Sequence, residues 1–456
     1  MSAYARAGGR AVMTQAPAAI DVMGGICEEG GSLLLTATLG LAVRACTWPI
    51  SEDQLIIQHK SAAAGEKWRT WQAPYGGLSK AADQPMVEDG DPSTRSAVAP
   101  AVAVLRQLVQ SGRMPAASGG LFVGLYGDMD EITDLGRPCA VATAVLEAAT
   151  RLFDLSVDRQ TKTQWVAQAA ASLAGVRRLR LAMTSLAGPA TESLMQLRFY
   201  PQPSCEVLEL PPGVIIAAAR TRLSRPTPAE RIAQTQICAD MGLRLISELN
   251  RQDGIALKST GARLAAITPS EYVRRYRNRL PGKITVRQFE ARFGPLRSMD
   301  ATLDPASVLK VRSRVEHYIY ENRRVHDFVT HMARARRVNP DEALAQSGEL
   351  MYNSHWSHSQ RCGIGGVETD RLINAIRRRG CPMGLYGAKV TGGGDGGEVV
   401  VLMRDDEIAR EALAAAVAEA SAASRAAIQL YDGSMAGAEY VETPGMDEML
   451  GSAAAV

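Results

Sequence analysis

Apolar and polar positions alternate between two periods along this chain, and the switches mark its elements. Residues 20–23 and 33–37 are short apolar runs flanking Gly24-Gly25-Ile-Cys-Glu-Glu-Gly30-Gly31, whose glycines allow a sharp reversal; the pattern predicts strand, loop, strand. Residues 73–99 are rich in Pro, Gly, Asp and Ser and predict an exposed excursion. A helix over 98–108 and an apolar strand over 121–126 follow. Residues 136–152 contain no Gly or Pro beyond the first turn and are rich in alanine, which predicts a helix with Pro138 in that turn, where its missing N–H costs nothing.

A further helix is expected at 164–173 and strands at 194–200 and 214–219. The proline-rich stretch 201–212 between those strands predicts a domain seam, giving domains at 14–205 and 206–440 and a loose tail at 441–456. Helical periodicity then covers 229–249, 269–277, 311–334, 341–359 and 368–378. Residues 399–403 read as a buried strand, 406–424 as a helix and 426–430 as a last strand.

Before strand 399–403 stands Gly392-Gly393-Gly394-Asp395-Gly396-Gly397, five glycines in six residues. So much glycine weakens any regular element and suits backbone that takes φ > 0 or approaches another group closely. It fits either a phosphate or sugar against bare amides or a tight connection between packed elements.

Composition narrows the classes. The chain has 456 residues, 46% hydrophobic and 22% charged, enough for two ordinary domains with cores of their own. A net charge of +3 gives no reason to expect a nucleic-acid or membrane partner. Seven scattered cysteines without a CxxC pair argue against a disulfide framework or zinc knuckle and for a reducing, cytoplasmic setting. No apolar run reaches the roughly 18 residues a membrane span needs. Residues 1–10 lack an apolar signal core, and Met13 is a second candidate start.

Three segments in order, Ala16-Pro-Ala-Ala-Ile-Asp-Val-Met-Gly-Gly-Ile26, the loop and helix at 135–152, and Gly387-Ala-Lys-Val-Thr-Gly-Gly-Gly-Asp-Gly-Gly397, resemble the GHMP small-molecule kinases. The similarity is to the branch of galactokinase and the kinase domain of L-arabinokinase. Ile319-Tyr-Glu-Asn-Arg-Arg-Val325, Ser354-His-Trp-Ser357, Cys362-Gly-Ile-Gly365 and Thr369-Asp-Arg-Leu372 extend the resemblance over about residues 14–433.

The resemblance implies a two-domain α+β fold, with an N-terminal domain like ribosomal protein S5 domain 2 and a ferredoxin-like C-terminal domain. It implies ATP and Mg²⁺ as cofactors and a sugar in the cleft between domains, the γ-phosphoryl passing to a sugar hydroxyl by positioning and charge stabilisation. Nucleotide contacts would fall on Leu135, Gly136, Arg137, Pro138, Cys139 and Ala140. Sugar contacts would fall on Asp21, Gly24, Gly25 and Glu28, and the glycine loop on 392–397.

The same resemblance exposes departures. The family's serine-rich phosphate loop is replaced by Asp134-Leu-Gly-Arg-Pro-Cys-Ala-Val-Ala-Thr-Ala144. Serine hydroxyls are hard oxygen ligands suited to Mg²⁺; Arg137 could pair with phosphate instead, or simply start an exposed helix. The family's arginine position holds Ala19, its sugar-contacting aspartate position holds Glu28, and its catalytic aspartate position holds Leu181. A leucine takes no proton, and general-base catalysis is worth about 10²–10⁴ in rate. The expectation is therefore a pseudokinase that keeps a sugar or nucleotide site. The alternatives are an active sugar 1-kinase using Asp128, Asp130, Glu131 or Asp134, and a scaffold with a vestigial pocket.

Three other patterns invite chemistry. His355, His358 and Cys362 share one helical face if the helix continues, a spacing that could suit a metal, although no metal site is expected. Tyr272-Val-Arg-Arg-Tyr-Arg-Asn-Arg279 is either a nucleic-acid grip or a solvated amphipathic helix. Lys389 is either a phosphate ligand or an exposed strand end.

Overall fold

The computed structural model describes residues 11–60, 67–80, 92–114, 119–128, 136–174, 178–189, 192–225, 227, 229–255, 263–296, 304–337, 340–391 and 397–441. Contacts group the chain into two units: Met1–Ile20, Thr38–Thr191 and Ser434–Val456 form one, Asp21–Ala37 and Glu192–Gly433 the other. The chain therefore changes unit at Asp21, Thr38, Glu192 and Ser434.

The first unit is built on a mixed sheet. Strand β1 (Val12–Met23) is buried at every residue but Gln15, so it shows no alternation. It lies between the two-residue strand Glu439–Tyr440 and β2 (Leu34–Ile50); β3 (Gln54–His59), β4 (Arg69–Pro74) and β5 (Gly120–Gly127) complete the order β1-β2-β5-β3-β4. β3 runs parallel to β5, with Leu55 opposite Leu121, while the other pairs described in register are antiparallel. Trp48 stacks on Phe122 with ring centroids 4.0 Å apart, the anchor of a small apolar cluster with Met13, Cys46 and Ile50.

Helices α1 (Pro92–Gln110), α2 (Arg137–Leu152), α3 (Arg159–Ala174) and α4 (Leu179–Ala187) pack on one another. Two long-range bonds tie them to β1: Thr14 Oγ1 donates to the Ala144 carbonyl (2.7 Å) and Ser185 Oγ to the Pro17 carbonyl (3.1 Å). The excursion expected over 73–99 is shorter than its composition suggests. Tyr75 and Leu78 are buried, and Ala97 and Val98 belong to the buried side of α1; residues 81–91 lie outside the described residues.

The second unit holds the hairpin β6 (Ser193–Arg198) and β7 (Ser204–Glu209), with β6 paired to residues 34–36, and a four-stranded antiparallel sheet. That sheet comprises β8 (Val214–Arg220), β9 (Leu385–Val390), β10 (Glu398–Arg404) and β11 (Gln429–Tyr431), in the order β9-β10-β8-β11. The helices are α5 (Ala229–Gln252), α6 (Pro269–Arg275), α7 (Val286–Phe293), α8 (Val311–Ala335), α9 (Pro340–Ser357), α10 (Val367–Arg379) and α11 (Glu407–Ser424).

Leu372, Ile376, Ala409 and Leu413 of α10 and α11 meet Ala217, Val399, Val401 and Met403 of the sheet in one core. A second core joins α5 to α8 and, from the far end of the sequence, Ile26 and Cys27. All seven cysteines are free thiols. Among the described residues no helix is long and apolar enough to cross a membrane. The tail from residue 442 lies outside the described residues.

Helix α9 meets β9 backbone to backbone at Gly348 and Gly387. A Cβ built on Gly348 would stand 1.8 Å from the Tyr386 carbonyl oxygen. Replacing a helical glycine by alanine ordinarily gains up to about 1 kcal/mol, but here the clash reverses the sign. Gly348→Ala is expected to destabilise the protein by about 2–3 kcal/mol, read as a fall in the urea midpoint; an unchanged or raised midpoint would contradict this packing.

Candidate functional site

In the second unit the turn after β1 is buried. Gly24 takes φ +92° and Gly31 φ +76°, and a Cβ on Gly24 would lie 2.7 Å from the Leu33 carbonyl, so the reversal needs glycine. Between them residues 25–30 form a 3₁₀ turn. Glu28 is 8% exposed and Asp21 2%, whereas Glu29 faces solvent. The two adjacent carboxylates are thus distinct: Glu29 is a solvated turn residue and Glu28 is not.

Helix α8 clamps this loop with three side chains spaced i, i+3, i+4 on one face. Tyr318 Oη donates to the Ile26 carbonyl (2.9 Å), the Gly24 amide donates to Glu321 Oε1 (3.3 Å), and the Leu33 amide donates to Asn322 Oδ1 (3.1 Å). Asn322 Nδ2 in turn donates to the Ala265 carbonyl (3.0 Å). The Tyr318 ring packs where a Cβ on Gly30 would be, 2.4 Å from its Cδ1. The sequence marked 319–325 as a family-like segment but gave no sign that it holds the loop 290 positions earlier.

Glu321 is fully buried and well partnered. Ser354 Oγ donates to its Oε1 (2.6 Å), and Arg324 Nε to its Oε2 (2.8 Å). Burial alone would raise its pKa, but Arg324, with further positive charge from Lys389, holds the carboxyl well below the usual range. Lys389 is itself fully buried, its Nζ donating to the Val390 carbonyl (2.8 Å), so it is not the exposed strand end that its position before the glycines allowed.

Beside Glu321 lie His317 and His358, both fully buried, with rings 4.5 Å apart and nearly perpendicular. His358 Nδ1 donates to the Ser354 carbonyl (2.9 Å), and His317 Nδ1 shares a hydrogen bond with Ser357 Oγ (2.8 Å). Burial drives the His317 pKa down to about 3 and that of His358 well below its ordinary value, so both rings are neutral.

The α-helix does not continue through His355, His358 and Cys362, the condition for their sharing one face. Residues 358–362 make a π turn, which rotates the register. His355 Nε2 instead lies 3.1 Å from Asp370 Oδ1. His358 turns to His317 and Glu321, and the three offer ligand atoms within 4.8 Å of one another, a grouping the spacing did not suggest. Gly363, in the left-handed region at φ +69°, ends the turn.

In the first unit, Gly136 caps α2 with φ +71°, and a Cβ there would sit 3.1 Å from the Ala19 carbonyl oxygen. Ala19 therefore packs at the α2 start. Arg137 is only 6% exposed and donates to Ser96 Oγ (2.5 Å), which corrects the alternative of an exposed helix start. Cys139 and Ala140 are buried with it, and Pro138 occupies the first turn.

Leu181 is 3% exposed in α4, a helix without a carboxylate. One hydroxyl escaped the sequence reading: Thr143, fully buried in α2, whose Oγ1 has no hydrogen-bond partner among the described residues. Asp128 is exposed and 3.5 Å from Arg44. Asp130, Glu131, Asp134, Leu135 and residues 392–396, Gly392, Gly393, Gly394, Asp395 and Gly396, lie outside the described residues. The Gly397 carbonyl accepts both the amide and the hydroxyl of Thr221, each at 2.9 Å.

The stretch 272–279 is an amphipathic segment. Tyr272 and Tyr276 are buried, and Arg275, Arg277 and Arg279 pair with Glu271, Glu316 and Asp253.

Removing the clamp should loosen the loop. Asn322→Ala strands a buried amide and a carbonyl and is expected to cost about 1–3 kcal/mol of stability, with faster hydrogen exchange at the Leu33 amide. Protection at Leu33 equal to the parent's would exclude the clamp.

No family model matches the chain. A 148-residue stretch, 31% of this chain, is 33% identical to the L-arabinokinase of Arabidopsis thaliana and spans only 14% of that protein. Among solved structures, the galactokinase of Lactococcus lactis, complexed with galactose, superposes with a TM-score of 0.69 at 16% identity over 96% of this chain and 98% of its own. The mevalonate kinase of Methanococcus jannaschii gives 0.54 at 10% identity, covering 94% and 99%. The α+β fold is that of these kinases, and the partial arabinokinase match agrees with the motif order, so the chain is similar in fold and motifs to the galactokinase and arabinokinase branch of the GHMP kinases.

Proposed function

We propose that this protein binds a sugar through the loop 24–33 and that its phosphoryl transfer is lost or strongly altered, making it a pseudokinase. One contrast carries the reading. The sugar-loop residues are held by three hydrogen bonds from α8 with Glu28 buried, while the position aligned with the catalytic aspartate is the buried Leu181 in a helix without any carboxylate.

The α2 start agrees with this. From Gly136 to Ala142 it offers Arg137 but no hydroxyl or carboxylate, so these residues do not fit a magnesium–triphosphate in the manner of a serine loop. Loss of a general base costs about 3–5 kcal/mol of barrier. Losing metal ligands and the cation at Ala19 as well takes efficient transfer out of reach. Galactose bound to the Lactococcus relative makes a hexose or pentose the first ligand class to try.

A second reading, an active ATP-dependent sugar 1-kinase, is favoured by the buried Thr143 hydroxyl, a hard oxygen within the first two turns of α2.

Calorimetric titration with Mg-ATP and a sugar panel, with sugar 1-phosphate assayed in the same tubes, separates these. Sugar binding without turnover is expected; turnover would overturn the pseudokinase reading, and no binding of any ligand would favour a scaffold. Glu28→Gln is expected to weaken sugar binding about 10- to 100-fold, the worth of a charged hydrogen bond. Leu181→Asp alone is expected to leave the chain inactive.

A further inference from the structure

We propose that His317, Glu321 and His358 form an internal site for a d-block divalent cation, with zinc the first choice. The three side chains are fully buried in the second unit and offer ligand atoms within 4.8 Å of one another.

The hydrogen bonds leave the ring nitrogens ready. In His358, Nδ1 carries its proton to the Ser354 carbonyl, so Nε2 of the neutral ring presents a lone pair, and that atom has no partner among the described residues. His317 Nε2 is likewise buried without a partner, while its Nδ1 is held by Ser357. A backbone carbonyl or hydroxyl on the far nitrogen of each imidazole is the outer support that metal-bound histidines ordinarily have. Two buried acceptors left empty are otherwise unexplained in so densely bonded a region.

Two imidazoles and a carboxylate suit zinc, cobalt or nickel, not the hard oxygen chemistry of magnesium. Ligand atoms bound at about 2.0–2.2 Å stand roughly 3.4 Å apart around a tetrahedral ion, so from separations of up to 4.8 Å binding closes the cluster by at most about 1.4 Å. Arg324 and Lys389 add positive charge beside Glu321 and oppose the cation, which sets the affinity below that of a dedicated structural site. Because Glu321 also accepts the Gly24 amide, and Ser354 and Ser357 lie on α9, an ion here would fasten α8, α9 and the loop together.

The test uses the full chain stripped with a chelator and titrated with cobalt chloride. Visible d–d bands saturating at one equivalent, displaced by zinc and accompanied by a higher melting temperature, are expected. His317→Gln and His358→Gln should each weaken cobalt binding at least 100-fold, and His326→Gln, outside the cluster, should leave it unchanged. Absence of bands, or bands that survive both cluster substitutions, would overturn the site. Should those variants fail to fold, X-ray absorption on the zinc-loaded parent decides: two imidazole nitrogens at about 2.0–2.1 Å support the site, and a shell of water alone or of sulfur from Cys27 or Cys362 overturns it.

Discussion

A carboxylate taken wholly out of water must gather donors and positive charge around it, because its desolvation is otherwise too costly to sustain. Glu321 is such a group, and its partners come from four separated places in the sequence: the Gly24 amide, Arg324 one turn along, Ser354 on the next helix and Lys389 on β9. Satisfying one charge therefore fixes where a loop, two helices and a strand meet. Tyr318 and Asn322, on the same face of α8, carry that arrangement to both ends of the loop. Gly24 and Leu33 are thus held from one face of α8, by Glu321 and Asn322, and Glu28 lies buried in the loop between them.

The two units differ in the polarity of their interiors at the positions discussed. The second keeps a dense polar interior around its loop, with neutral imidazoles beside a charged carboxylate. In the first, the residues singled out are apolar and packed: Ala19 against the Gly136 backbone, Leu181 within α4, and Ala140, Val141 and Ala142 in the first turns of α2. These side chains pack β1, α2 and α4 together, and it is on them that the proposed loss of phosphoryl transfer rests. Fold and function are separable in this sense, because a site is a set of side chains carried on a scaffold that packs without them.

Periodicity alone placed most helices, because α2, α5, α8 and α11 are long, uninterrupted and rich in good helix formers. It did not give α4, β3, β4, β7 or β9, which are short, and short segments carry too few residues to declare a period. The composition of 73–99 suggested exposure, yet Tyr75, Leu78, Ala97 and Val98 bury themselves through contacts from elsewhere.

By itself the sequence determined the glycine reversals at 24 and 31 and the order of three motifs, and hence the fold class. These are local properties, written in spacing and side-chain chemistry. Tertiary structure decided which of those residues matter to one another. Only the fold shows that Glu28 is buried and Glu29 is not, that Lys389 and Arg137 lie inside, and that His358 turns from His355 toward His317 and Glu321. Each outcome depends on contacts between segments tens to hundreds of positions apart, and no local pattern encodes the π turn and helix packing that bring them together.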